Sequence, residues 1–286
     1  MNSPLTTDVP AAGYVHGYSR REARRLGDQA DTLATLLHSG TSYPPGSRVL
    51  EVGCGVGAQT VHLVTGSPGV RLVAVDLSDD SLAEARARVA AHAPQAHVEW
   101  CRADLFDLPF ADATFDHVFV CFVLEHLPDP VRALAGLRRV LRPGGTVTVI
   151  EGDHGSAFFH PDSAWASAAV RCLVRLQAAA GGNALIGREL QPLLTAAGYR
   201  DVRVAPRTVY ADPSRPELVR GFTRDTFVAM VEGVREEALA ARLVSPEDWD
   251  RGLADLRRTA GPDGTFHYVF FKGLAVNPAD GGACGE

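Results

Sequence analysis

The chain has 286 residues, 46% of them hydrophobic and 22% charged, with a formal net charge of −6. Such a composition belongs to a globular protein and excludes disordered, collagen-like and disulfide-framework chains. The acidic balance argues against a nucleic-acid partner, and the longest apolar run, the seven residues 118–124, is far below the roughly 20 that span a bilayer. The sequence opens without a basic, apolar and small-residue succession, so a cytoplasmic location is expected. Five cysteines, an odd number without CxxC spacing, predict neither a metal site nor a disulfide framework. Lys272 is the only lysine, and this arginine bias reads as coding composition rather than as function.

In chain order, Ser19 and Glu22 fit a capping box. Apolar residues at helical spacing (Ala23, Leu26, Ala30, Leu33, Leu37) then predict a helix over about 20–39. After the break at Tyr43-Pro44-Pro45-Gly46, short β-branched runs alternate with longer helical patterns. The predicted strands are 48–52, 71–76, 98–102, 117–122 and 146–151, and the helices between them are 58–65, 79–93 and 130–141. This alternation predicts an α/β fold: a Rossmann-like, doubly wound, mostly parallel sheet covered on both faces. Beyond Glu151 the rhythm changes to a long helical pattern (156–180), a short helix (186–197) ending at Gly198, a strand (202–209), a helix-like stretch (213–260) and a last strand (266–276). The expected organisation is an N-terminal helical segment over 1–45 and one domain over 46–286. Two helical cap insertions are expected within it, at about 155–183 and 212–262.

Glu51-Val-Gly53-Cys-Gly55-Val-Gly57 joins the first strand to the first inner helix. Glycines there let the backbone turn tightly and approach a ligand, with helix N–H groups facing it. Asp76 stands nineteen residues after Gly57, at the next strand end, where a carboxylate can accept from ribose hydroxyls. Asp104 follows the third strand. Acids at successive strand ends mark the edge where open α/β sheets bind ligands.

These pieces, together with Val75-Asp-Leu-Ser78, Ala103-Asp-Leu105, Leu108-Pro-Phe110, Phe115-Asp116, Leu124-Glu-His-Leu127 and Leu141-Arg-Pro-Gly-Gly145, resemble the class I S-adenosylmethionine-dependent methyltransferases. The likeness is to their quinone- and natural-product-modifying branch, is specific over about 46–151, and is weak beyond. It implies S-adenosylmethionine as cofactor, a small-molecule O, N or C nucleophile as acceptor, and no metal. It places Glu51 and the Gly53 backbone by the methionine moiety within the Gly53, Gly55 and Gly57 turn. By the same likeness Asp76 holds the ribose, Asp104 the adenine amino group, Leu77 and Leu105 flank the adenine, and Cys121 offers its backbone to the methionine amino group. His126 and Glu125 are the expected general bases. No nucleic-acid or membrane partner is implied, and a homo-oligomer is compatible with the sequence.

Two other classes remain open. Gly53-x-Gly55-x-x-Ala58 with Asp76 also satisfies a dinucleotide fingerprint, although Asp104 has no role in it and Glu51 would repel a diphosphate. A non-catalytic S-adenosylmethionine-binding protein would carry the same motifs. Tyr268 and Lys272 have the spacing of a dehydrogenase pair, but in a strand they lie about 13 Å apart. Glu151, Asp153 and His154 end the fifth strand and are read either as facing the same crevice or as a solvated loop. Phe158, Phe159, Trp165 and Trp249 are read either as pocket walls or as core. Finally, Tyr14, Tyr18 and Arg24 stand just before the core, and the segment is expected to fold as a lid over the methionine end. Arg24 would pair with the cofactor carboxylate there.

Overall fold

The computed structural model describes residues 20–279, with side chains from residue 25 onward. Helix α1 (Arg20–Leu37) precedes β1 (Arg48–Val52), α2 (Ala58–Gly66), β2 (Arg71–Asp76), α3 (Asp79–His92), β3 (His97–Arg102) and β4 (Phe115–Cys121). Then come α4 (Pro130–Val140), β5 (Leu141–His160), α5 (Ala164–Ala179), α6 (Leu190–Ala196), β6 (Arg200–Ala211), a helical stretch and β7 (Thr265–Val276). The strands form one seven-stranded sheet in the order β3-β2-β1-β4-β5-β7-β6. From β3 across to β5 the pairing is parallel, and β7 runs antiparallel to both β5 and β6. The mostly parallel α/β sheet expected from the sequence is therefore present.

Burial on both faces explains why β1 and β2 read as nearly continuous apolar runs. On one face Leu33 and Leu37 of α1 join Leu63, Val170, Leu173, Phe222 and Trp249, and on the other Leu134 and Leu137 of α4 meet Leu190 and Leu194 of α6. Local signals set the helix starts. Asp129 accepts from the Arg132 N–H ahead of Pro130, and Ser163 accepts from the Ala166 N–H, each satisfying a first-turn donor.

The largest departure from the expected elements is β5. It runs twenty residues to His160 and does not end at Glu151. Gly152, Gly155 and the polar residues between them read as a loop, but β7 supplies a long-range partner, with a register shift between Asp153 and Phe158. Glu151, Asp153 and His154 are thus buried strand residues rather than a solvated loop. The expected insertion at 155–183 is strand up to His160, and its helix begins at Ala164. The stretch between β6 and β7 is helical as expected. It includes a π-helical turn (Val219–Val228) that packs on α1, where a Cβ on Gly221 would collide with Thr32, and a final helix (Pro246–Arg258).

Lys272 is buried on β7 at the C-terminal end of α1. Its ammonium donates to Leu37 O at 3.2 Å, Ser39 O at 2.8 Å and Thr41 Oγ1. A cation there meets the carbonyls that the helix end leaves without partners. Tyr268 and Lys272 share a strand, as the sequence spacing required, so they do not form a helical dyad.

Candidate active site

The loop after β1 is held in left-handed conformation at Gly53 (φ 66°), Gly55 (φ 50°) and Gly57 (φ 75°). Each glycine has its own steric reason. A Cβ on Gly53 would strike Val123, and one on Gly57 would strike the Ala85 backbone. A Cβ on Gly55 would meet no atom within 4 Å among the described residues beyond its chain neighbours, and the turn lines a cavity there. Asp76 fixes the turn, its Oδ2 accepting from the Gly55 N–H at 2.8 Å and its Oδ1 from the Ser78 N–H at 3.0 Å. Each carboxylate oxygen keeps a further lone pair for a ligand. Asp104 Oδ1 similarly accepts from the Phe106 N–H at 2.9 Å.

The cavity has a volume of about 720 Å³, within the range of small-molecule sites. Of the residues singled out from the sequence, Gly53, Gly55, Asp76, Leu77, Asp104, Leu105, Cys121, Glu125 and His126 line it. Glu51 and Gly57 do not. Glu51 is buried behind the turn, where its Oε2 accepts from Thr60 Oγ1 at 2.7 Å. Burial, with a smaller contribution from Asp76, pushes its carboxyl up to about 8. Glu51 thus bonds to Thr60 and lies outside the cavity lining, so it does not border the space where the sequence reading set it against a diphosphate. Tyr14 and Tyr18 lie outside the described residues, and Arg24 belongs to α1 with its side chain likewise outside them.

The other half of the cavity is formed by the segment after β4, by β5 and β7, and by the helical stretches. Glu125 lies here with its Oε1 3.7 Å from His126 Nε2 and its Oε2 4.0 Å from His154 Nε2. Gln177 Nε2 donates to Glu125 Oε2 at 3.0 Å and to the Glu125 carbonyl at 3.2 Å. Beneath this segment Glu151 Oε1 accepts from the Val123 and Leu124 N–H groups at 3.0 and 2.8 Å. Burial, then the nearby Glu125, holds the Glu151 carboxyl well above its usual range. Asp153 does not join the cavity; it pairs with Arg188 through two bonds of 2.7 Å.

Sequence reasoning missed several lining residues: Arg25, Leu26 and Gln29 of α1, Gln177 of α5, and Phe222, Phe227, Met230, Tyr268 and Phe270. The aromatics it weighed are elsewhere. Trp249 is core, Phe158 is exposed and stacks on His267 at 3.9 Å, and neither Trp165 nor Phe159 lines the cavity. The available signal was the alternation along β7, where Tyr268 and Phe270 share one face with Phe266.

Residues 50–149 match the family model described as a methyltransferase domain. Among curated proteins, the chain is 33% identical over 213 residues to an uncharacterized 37.1 kDa protein in a transposon of Streptomyces fradiae, covering 72% of this chain and 59% of that one. It is 32% identical over 148 residues to the ubiquinone/menaquinone biosynthesis C-methyltransferase of Paracoccus denitrificans, covering 49% of this chain and 59% of that one. The chain thus spans less than two thirds of these relatives' length. Among solved structures it is similar in fold to a Haemonchus contortus phosphoethanolamine N-methyltransferase bound to S-adenosylhomocysteine, with a TM-score of 0.53 and 20% identity, over 87% of this chain and 52% of that one.

Proposed function

Because residues 50–149 are a class I S-adenosylmethionine-dependent methyltransferase domain, we propose that the protein methylates an O, N or C nucleophile of a small molecule. Quinone-like biosynthesis and secondary metabolism are the settings that its relatives suggest. One observation carries the reading. The glycine turn, Asp76 and Asp104 stand at consecutive strand ends on a single cavity, and its far half holds Glu125 and two histidines.

The residues present fit the cofactor. Gly55 leaves an open cradle that a Cβ would fill, Asp76 retains acceptor capacity for the ribose, and Leu77 and Leu105 offer apolar surface for the adenine. Asp104 would bond the adenine amino group, and the Gly53 and Cys121 backbones the methionine end. When bound, S-adenosylmethionine supplies a methyl group on a positively charged sulfur. The protein then has to bind, orient and exclude water, which accounts for the enclosing helical stretches. Where the nucleophile carries a proton, Glu125 or His126 would receive it. Residues 46–286 would act as one domain, with the segment before them covering the methionine end through Tyr14, Tyr18 and Arg24.

The test is to incubate the protein with S-adenosylmethionine and a panel of phenols, hydroquinones and amines, and to measure S-adenosylhomocysteine release. Release that depends on one acceptor class supports the proposal. Tight cofactor binding with no release from any acceptor would point to a non-catalytic binder.

A further inference from the structure

Phe122 follows β4 with a backbone φ of 58°, the left-handed region that a side chain of this bulk rarely enters. A glycine would make the same turn without a Cβ penalty, so it is the phenyl ring that the position retains at a cost. The turn is held by its surroundings. The Phe122 N–H donates to Ile150 O at 2.9 Å, and the N–H groups of Val123 and Leu124 share Glu151 Oε1. Glu151 is fully buried, itself an unfavourable placement for a carboxyl. Two unfavourable features thus converge on residues 122–124.

The place of this turn suggests what it is for. Val123 packs on the glycine turn, where a Cβ on Gly53 would strike it, and Phe122 and Val123 both line the cavity. The Phe122 ring lies 5.5 Å from that of Phe270 on β7, which lies 5.6 Å from that of Phe222 in the π-helical turn. The three rings form a row from the glycine turn into the far half of the cavity. Phe222 and Phe270 are each 2% exposed and have almost no surface left for a ligand. Phe122 is only half-buried, as is Met230, which also lines the cavity. An apolar ring with surface to spare on a ligand-sized cavity is a contact site.

We propose that Phe122 selects the methyl acceptor, its uncovered surface receiving the ring system of an aromatic molecule. This deepens the methyltransferase reading and rests on it. The Phe122 ring is braced by Phe270, which Phe222 braces in turn, and Met230 adds a soft, polarisable sulfur to the same lining. Aromatic pairs gain more than the area they bury, so such a surface discriminates an aromatic ring from a saturated one of the same skeleton. A ring seated there adjoins the Gly53 turn, where the proposed function puts the methionine end of the cofactor. Phe122 is on this account a substrate-binding residue, and the left-handed turn is what brings its ring to that position.

The test uses the full chain saturated with S-adenosylhomocysteine, whose own binding is first measured by calorimetry. The probes are 2-naphthol and decahydro-2-naphthol, which share a carbon skeleton and a hydroxyl. The wild type is expected to bind 2-naphthol about fivefold or more tightly, a factor equal to about 1 kcal/mol. Phe122→Leu should bring the two affinities within about twofold and leave S-adenosylhomocysteine affinity within about twofold of the wild type. Melting temperatures supply a second readout. Phe122→Gly should melt above Phe122→Ala, because only alanine carries a Cβ into the left-handed turn. If Phe122→Leu does not fold, Phe122→Gly carries the affinity comparison. Equal affinities in the wild type, binding of neither probe, or a preference that survives the substitution would each overturn the proposal. So would a Phe122→Leu variant that loses S-adenosylhomocysteine together with 2-naphthol, or Phe122→Ala melting at or above Phe122→Gly. Failure of the wild type to bind S-adenosylhomocysteine would instead overturn the methyltransferase reading beneath it.

Discussion

Asp76 and Glu51 are both carboxylates beside the glycine turn, one half-buried with backbone partners and the other enclosed with Thr60. The sequence motif placed both near the cofactor, but could not show which way each side chain turned. For Glu51 the direction has a pH consequence. Its carboxyl is raised from 4.5 to about 8 in the folded protein, chiefly by burial and then by Asp76. The folded state therefore holds this proton more tightly than the unfolded chain does. The resulting stability is fully present below about pH 4.5 and is lost as pH rises through about 8. Glu51→Gln should remove that loss, so its melting temperature should fall less than the wild type's between pH 5 and pH 8, by a margin worth a few kcal/mol. Parallel melting curves for the two proteins across this window would show that the acid is ionised in the fold.

At the scale of elements, the strands flanking the glycine turn were legible because their residues are buried on both faces and their ends coincide with turn chemistry. The boundaries of β1 and β2 fall at 48–52 and 71–76, where the sequence predicted them. The second half of β5 was not legible. Its Gly152, Asp153, His154 and Gly155 have poor strand propensity, and their partners on β7 lie more than a hundred residues away. This is also why the hydrogen bond between His154 and Tyr268 escaped notice, since only the antiparallel ladder brings them together. The same strand brings Lys272 to the end of α1, where burial lowers its ammonium to about 8. Its three acceptors hold it there despite that cost. Lys272→Met should leave the buried Leu37 carbonyl without this donor, and an orphaned buried group costs about 1–3 kcal/mol. Thermal melting should register the drop, and hydrogen exchange should quicken at residues 37–41 before it does in β7. Unchanged exchange there would mean that the lysine merely fills space.

At the scale of the whole molecule, β1 to β3 contribute the glycine turn and acids, whereas β5, β7 and the helical stretches supply the far half of the cavity. The first half was readable as motif because its chemistry is local. Of the second, only Glu125 and His126 were readable, because the rest is assembled from residues 154, 177, 222 and 268, which are scattered along the chain. Helix α1 closes part of the rim through Arg25, Leu26 and Gln29, and the proposed function gives the segment preceding it the task of covering the methionine end. Removing residues 1–18 should weaken cofactor affinity about tenfold, the worth of one to two hydrogen bonds. In the full chain, cleavage near Gly17 should slow when cofactor is added. A truncated chain with wild-type affinity would assign the segment another task.

The central claim, that the cavity is built for S-adenosylmethionine, is tested most directly by calorimetry with S-adenosylhomocysteine and with NADH, on the wild type and on Asp76→Ala. Asp76 accepts from the backbone at the heart of the turn, and its substitution removes the bond to Gly55 together with the proposed ribose acceptor. One equivalent of S-adenosylhomocysteine should bind the wild type, binding should become immeasurable in a still-folded Asp76→Ala, and NADH should not bind. Saturable binding of NADH without S-adenosylhomocysteine, or an Asp76→Ala variant of wild-type affinity, would contradict the account.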